Sequence, residues 1–246
     1  MKGQFIEGLK DGIPIALGYL SVSFSIGIMA LASGLSVFQS AFMSLTNVTS
    51  AGQFAGITVI AAGGTILELI LTQVIINLRY ALMSLSLSQK LPENMPFWKR
   101  LVIAFANTDE IFAVAMGHAK SLTFSYMVGL QSLPILGWVS GTVLGAVAGQ
   151  VLPPAISSAL SVALYGMFIA IVVPAAAKIR PVLWVAAMAA VFSCAIYYLP
   201  LLSGISAGIS IIICTILASV IGALFFPVPQ ESEEKPEEKA KKWERE

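Results

Sequence analysis

Two adjacent carboxylates, Asp109 and Glu110, stand in a segment whose flanks, residues 101–106 and 111–116, carry no other charge. Neighbouring residues on a helix project about 100° apart, so one can cap the helix while the other faces a cavity. Ionisable groups held within an apolar layer face protein or water, and they often mark ion or proton pathways. Capping of a helix close to a membrane surface is the plainer alternative. A second set, Thr49, Ser50, Gly52 and Gln53, lies earlier in the chain, and Asn107 and Thr108 precede the carboxylates with the same residue types. Hydroxyl and amide side chains of this kind accept the first N–H groups of a helix. A half-helix starting at either place would aim its positive dipole end at a cavity, where a carboxylate can dock. Gly52 would let the backbone approach such a ligand, and Gln53 offers both a donor and an acceptor. A kink satisfied by neighbouring helices fits the same residues.

Between the two sets, Glu68, Thr72, Ile75 and Arg79 recur on one helical face. Glu68 and Arg79 are about 16 Å apart along the axis at 1.5 Å per residue, so they cannot pair with each other. Asp109 or Glu110 is the natural partner for Arg79, because an arginine keeps its charge and is expensive alone in lipid. A structural ion pair and a substrate contact both suit it. Gln73 and Asn77 lie off that face and are expected to bond to neighbouring helices.

These groups sit in a chain that water would not tolerate. Of 246 residues, 57% are hydrophobic and 11% charged, where soluble domains carry about 25% charged residues. Uncharged runs cover 12–67, 121–177 and 181–230. A bilayer core about 30 Å thick calls for helices of roughly 20 apolar residues. The expected spans are 12–33, 64–88, 122–151, 155–177, 181–199 and 203–227. The first is read as a retained span, since no small-residue cleavage site follows it. Two shorter apolar pieces, 38–62 and 101–118, decide the topology.

Of the 14 Lys and Arg residues, all but Arg79 can be placed on one side. Lys2 and Lys10 precede the first span, while Lys90, Lys99 and Arg100 follow the 64–88 span. An even number of crossings must separate these clusters, and two spans already supply it. The pieces 38–62 and 101–118 then enter and leave by the same face, which makes them re-entrant hairpins. Drawn as full spans, they would put Lys90, Lys99 and Arg100 on the opposite side, against the usual placement of basic loops. The segments from Thr49 and from Asn107 each end in Phe-Ala (Phe54-Ala55, Phe112-Ala113), a weak internal similarity of the kind that repeat-built transporters show.

Gly137, Gly141, Gly145 and Gly149 form a ladder of small residues that permits close helix approach, to an internal helix or to another subunit. Gly204 and Gly208 repeat it more weakly. Cys194 and Cys214 fall within apolar spans, where cysteine packs as a small hydrophobe. His118 is the single histidine and reads as an interfacial residue. Catalytic triads, metal-ligand spacings and phosphate-binding loops are absent, and the dispersed basic residues exclude a nucleic-acid surface. The tail 231–246 alternates acidic and basic residues and is expected to be solvated.

The chain resembles the AzlC-type family, the large subunit of branched-chain amino acid exporters. The resemblance rests on Gly12-Ile13-Pro14 with Gly18, on Ser50-Ala51-Gly52-Gln53-Phe54, on Asn77-Leu78-Arg79, and on Thr108-Asp109-Glu110 followed by Phe112-Ala113. It extends over about residues 5–225. Tyr80 departs from it, standing where a histidine often follows the Asn-Leu-Arg motif. The resemblance implies efflux of amino acids across the cytoplasmic membrane, generally with a small multi-span AzlD-type partner.

The combined expectation is an all-α polytopic membrane protein with about six transmembrane helices plus two broken or re-entrant segments. Residues 1–229 form the transporter domain and 230–246 a cytoplasmic tail, with both termini cytoplasmic. The chain is expected to be a secondary transporter exporting small amino acids, branched-chain ones among them, needing no cofactor or metal and catalysing no reaction. Its candidate substrate-binding residues are Ser50, Gly52, Gln53, Asn77, Arg79, Thr108, Asp109 and Glu110. A channel-like pore, or a membrane subunit active only with a small partner, is the alternative.

Overall fold

In the computed structural model, residues 2–119, 121–153, 155, 166, 169, 172–202 and 204–226 are described. Among them there are helices and no strands. The chain opens with a long helix, α1 (Lys2–Ala32), followed by two short ones, α2 (Val37–Thr46) and α3 (Ser50–Ala61). The order then repeats with α4 (Ile66–Lys90), α5 (Phe97–Phe105) and α6 (Asp109–Gly117). Next come α7 (Phe124–Val151), α8 (Arg180–Tyr198) and α9 (Ala207–Phe225). Helices α1, α4, α7, α8 and α9 are long and apolar enough to cross a membrane. The span expected at 155–177 falls mostly outside the described residues, of which 172–178 are helical. The charged tail and Lys120 also lie outside them.

Hydroxyl side chains start most of these helices. Ser36 and Gln39 close a reciprocal capping box on α2, and Thr49, Thr65, Thr108, Thr123 and Ser206 each accept an N–H from the first turn they precede. In lipid these caps matter more than in water, because no solvent can satisfy the leftover donors. Glycine ends α1 and α3. Gly34 (φ 89°) and Gly63 (φ 69°) take the left-handed conformation. Their N–H groups bond to Leu31 O and Ile60 O, and the residues after them to Ala30 O and Val59 O. This is the glycine-terminated turn that reverses a chain sharply at a helix end.

Helices α1 and α7 run parallel in close contact. A methyl group placed on Gly27 would lie 2.1 Å from Thr142 O, and one on Gly145 would lie 1.9 Å from Phe24 O. Gly8 and Gly12 on α1, and Gly129, Gly137 and Gly141 on α7, meet the opposite backbone in the same way. The glycine ladder therefore serves an internal helix. Pro14 and Pro134 sit at one level of this pair, both inside their helices. Each removes a backbone hydrogen bond there.

Helix α4 runs the other way. Its last residue, Lys90, donates to His118 O (2.6 Å); the His118 ring stacks on Tyr126 near the start of α7, and Tyr126 Oη donates to Asp11 near the start of α1. The end of α4 thus shares a level with the beginnings of α1 and α7. From this the course of both short pairs follows. The α2–α3 pair leaves the end of α1, reaches the middle of α4 where Thr49 meets Asn77 and Tyr80, and returns to the start of α4. The α5–α6 pair starts beside the end of α4, where Arg100 donates to Pro92 O (2.8 Å). It reaches Ser84 and Arg79 at mid-helix, and returns to Lys90. Both are re-entrant hairpins, entering from opposite ends, and neither crosses. Residues 2–61 and 66–117 are consequently the same motif, a long helix followed by a hairpin, in inverted orientation.

The C-terminal pair docks on this core through one buried carboxylate. Glu68, in the first turn of α4, accepts from Ser206 Oγ (2.5 Å) and Gly208 N (2.8 Å) at the start of α9. A carboxylate is well placed at a helix N-terminus. Gly208 is needed for the approach, since a methyl there would lie 2.5 Å from Glu68 Oε1.

Candidate functional site

The two hairpin tips meet at mid-depth beside the proline level of α1 and α7, and a cavity of about 370 Å³ opens between them. Each tip has lost its helical hydrogen bonds over about three residues, 47–49 and 106–108. Thr49 and Thr108 repair part of the loss by accepting from Gly52 N and Ile111 N. The N–H groups of Ser50 and Ala51, and of Asp109 and Glu110, have no carbonyl four residues back within their helices. Two positive helix ends therefore point toward the same space.

The cavity has two unlike sides. Pro14, Ile15 and Val22 of α1, with Val48 and Trp138, make an apolar wall. Thr49, Ser50, Tyr80, Thr108, Asp109 and Glu110 make a polar one. Tyr19 joins them: its hydroxyl lies 2.5 Å from Thr108 Oγ1 and 2.6 Å from Glu110 Oε2, while its ring packs edge-on to Trp138.

Arg79 pairs with Asp109 at 2.7 Å, with both side chains about half exposed (46%). It also donates to Tyr80 Oη (3.2 Å) and lies over the Tyr80 ring. Tyr80 Oη in turn donates to Thr49 Oγ1 (3.1 Å). A connected path thus runs from the first residue of α6 through α4 to the cap of α3. With Arg79 balancing Asp109, Glu110 is the one formal charge left over on the cavity wall.

The structure brings Ser50, Thr108, Asp109 and Glu110 to the cavity and places the other four candidates behind it. Gly52 faces α4: a methyl there would lie 2.9 Å from Gln73 Oε1 and 3.0 Å from Asn77 Nδ2. Its carbonyl accepts from Gln73 Nε2 (2.8 Å). The small residue thus admits polar side chains of α4. Asn77 bonds to Gln73 and Thr49, and Arg79 sits one layer back, touching the cavity through Asp109.

Gln53 is 1% exposed. Its Nε2 donates to Ser44 Oγ (2.7 Å) and its Oε1 accepts from Trp138 Nε1 (2.6 Å). Ser44 Oγ lies 2.6 Å from Thr142 Oγ1, which donates to Trp138 O. The circuit is closed and buried, so it locks hairpin α2–α3 onto α7.

Sequence reasoning missed Tyr19, Tyr80 and Trp138 as lining residues. Aromatic rings within apolar spans carry no signal of their own. Proline inside two long spans, at positions 14 and 134, was the available hint. Among the described residues no group of His, Cys, Asp or Glu is arranged to hold a metal ion.

Comparison with known proteins fits this architecture. Inner membrane protein YgaZ of Escherichia coli K12 is 29% identical over 235 residues, which is 92% of this chain and 94% of YgaZ. An uncharacterized membrane protein of Archaeoglobus fulgidus is 33% identical over 139 residues, covering 56% of this chain and 60% of its own. Another, from Helicobacter pylori 26695, is 27% identical over 147 residues, 57% of this chain and 64% of its own. No solved structure matches. The family model "AzlC protein" matches residues 14–152, a stretch that holds both hairpins and every residue lining the cavity. The chain is a membrane protein of the AzlC family.

Proposed function

We propose that the chain is a secondary transporter that exports small amino acids, branched-chain aliphatic ones among them, across the cytoplasmic membrane. The observation that carries this reading is the two-sided cavity between inverted hairpins. A zwitterion with an aliphatic side chain presents an anion, a cation and an apolar end, and the cavity offers a counterpart for each. The free N–H groups of Ser50 and Ala51 suit the carboxylate. Glu110 suits the ammonium, held in place by Tyr19, whose hydroxyl also meets Thr108. The wall of Pro14, Ile15, Val22 and Trp138 suits the side chain.

Lys2, Lys10, Lys90, Lys99 and Arg100 belong to the end where α1 begins, which we assign to the cytoplasm by the bias of basic residues. Hairpin α5–α6 then dips in from inside and α2–α3 from outside. Access alternates as one tip separates from the cavity while the other stays closed, as in other carriers with inverted repeats. A small AzlD-type subunit is proposed as a partner.

Vesicles containing the purified chain, with and without a small subunit, test the reading. Saturable counterflow of labelled leucine is expected. Non-saturating flux with single-channel currents would instead indicate a pore, and flux only with the second subunit an obligate complex. No stimulated exchange of any amino acid in either case would overturn the proposal.

A further inference from the structure

Glycine inside a helix is unfavourable relative to alanine unless something needs the missing side chain. On α1, Gly8, Gly12 and Gly27 have such a reason, because a methyl on each would lie 2.2, 2.6 and 2.1 Å from backbone oxygens of α7. Gly18 does not. Nothing lies within 4 Å of where its Cβ would stand, and α1 continues through it as ordinary helix. Neither packing nor backbone conformation accounts for the residue.

The cavity does. Pro14, Gly18 and Val22 follow one another at four-residue spacing on α1, and all three line it. Side chains so spaced form a ridge along one helical face, and here the ridge lacks its middle member. The gap left between Pro14 and Val22 is a little over two turns long, roughly 12 Å from Cα to Cα. Trp138 and Val48 close the apolar side around it, and Thr49, Ser50 and Glu110 occupy the polar side. A ligand anchored by its charged end among the polar groups must place its other end against this wall.

We infer that Gly18 sets the size limit of the transported side chain: the notch it leaves receives the aliphatic end of the substrate. The inference rests on the amino-acid reading above and adds the residue that decides which amino acids fit. Filling the notch progressively should exclude long and branched side chains first and alanine last. One or two methylene groups change discrimination by about 10- to 200-fold in pockets of this type.

Two measurements test it. The first places a cysteine at position 18 (Gly18→Cys) with Cys194 and Cys214 replaced by serine. The protein is exposed from both sides of vesicles to a positively charged, membrane-impermeant methanethiosulfonate. Reaction, slowed by saturating leucine, is expected. A cysteine facing lipid does not react, and that result would overturn the inference whatever the substrate is. The second compares counterflow of alanine, valine, leucine and methionine in wild type, Gly18→Ala, Gly18→Val and Gly18→Leu. The leucine-to-alanine ratio should fall stepwise, by at least about tenfold at Gly18→Leu. Gly18→Ala adds one methyl to open space, so it keeps the fold and anchors the series. An unchanged order of substrates, or equal loss of all of them, overturns the size limit while leaving the transport reading intact. Wild-type vesicles without amino acid counterflow would overturn both.

Discussion

The two hairpins occupy inverted positions yet are held by a different mix of forces. Hairpin α2–α3 is fastened by neutral groups fully inside protein: Gln53, Ser44 and Thr142 with Trp138 of α7. Hairpin α5–α6 shares one buried neutral bond with α7, from Gln131 Nε2 to Ile103 O (2.6 Å), but is otherwise fastened largely by charges nearer its surface. Arg79 holds Asp109 at its tip, Lys90 holds the carbonyls of Met116 and His118 at its return, and Arg100 holds Pro92 O at its entry. A closed circuit of buried hydrogen bonds resists opening, because every broken bond strands a polar group. A half-exposed ion pair is worth much less, and another charge can displace it. Equivalent places in an inverted pair therefore differ in how readily they move. The tip carrying the charges is the one on which the proposed zwitterionic substrate would act.

The largest effect expected from breaking this contrast is on hairpin α2–α3. Gln53→Leu keeps the volume but strands Trp138 Nε1 and removes a partner from Ser44. Each buried group left without a partner costs about 1–3 kcal/mol. Thermal unfolding in detergent should show a loss of roughly 2–5 kcal/mol on that basis. Retention of wild-type stability would show that the circuit does not fasten the hairpin.

On hairpin α5–α6 the corresponding change is Asp109→Asn. Membrane insertion should persist and stability should fall by less than in Gln53→Leu, because Arg79 loses its carboxylate but is half exposed and keeps Tyr80 Oη as a partner. Transport should drop by about 10- to 100-fold, because losing a charged hydrogen-bond partner is worth about 1.5–3 kcal/mol. Full transport by this variant would remove the proposed role of the carboxylate. Loss of stability in both variants to the same degree would erase the distinction between the hairpins.

Much of this organisation could be read from charge placement. Lys99 and Arg100 lie too close to the next basic residue for two crossings, and Arg79 required a carboxylate partner. Those two constraints led to the dipping hairpins and to the Asp109–Glu110 pair, of which the fold gives Asp109 to Arg79. The glycine ladder of α7 announced close packing, though its partner, α1, lies more than a hundred residues away. Gln53 and Gly52 were harder, for a physical reason. A glutamine with a free donor and acceptor looks the same whether it faces a ligand or an indole, and only the fold brings Trp138 to it across 85 residues. A small residue likewise permits close approach by anything, and here Gln73 and Asn77 took the space. Tyr19 went unseen because a tyrosine in an apolar span carries no periodic signal until Glu110 lies beside it.

The smallest expected effect probes whether the two tips communicate. Tyr80 Oη is the joint between Arg79 and Thr49, so Tyr80→Phe removes the bonds on both sides while keeping the ring beneath the guanidinium. The bond to Thr49 is neutral and contributes about 0.5–1.5 kcal/mol, while the exposed Arg79 guanidinium keeps Asp109 as its partner, so apparent affinity should weaken about two- to tenfold. The sharper measurement is of coupling. Thr49 and Asp109 belong to different hairpins, and the bonded path between them runs through Arg79 and Tyr80. Substitutions at sites without shared partners add within about 0.3–0.5 kcal/mol. Thr49→Ala and Asp109→Asn should therefore be non-additive in unfolding stability when Tyr80 is present, and additive in the Tyr80→Phe background. Additivity in both backgrounds would mean that the tips act separately. Any coordination between inward and outward opening would then have to come from the substrate bridging them.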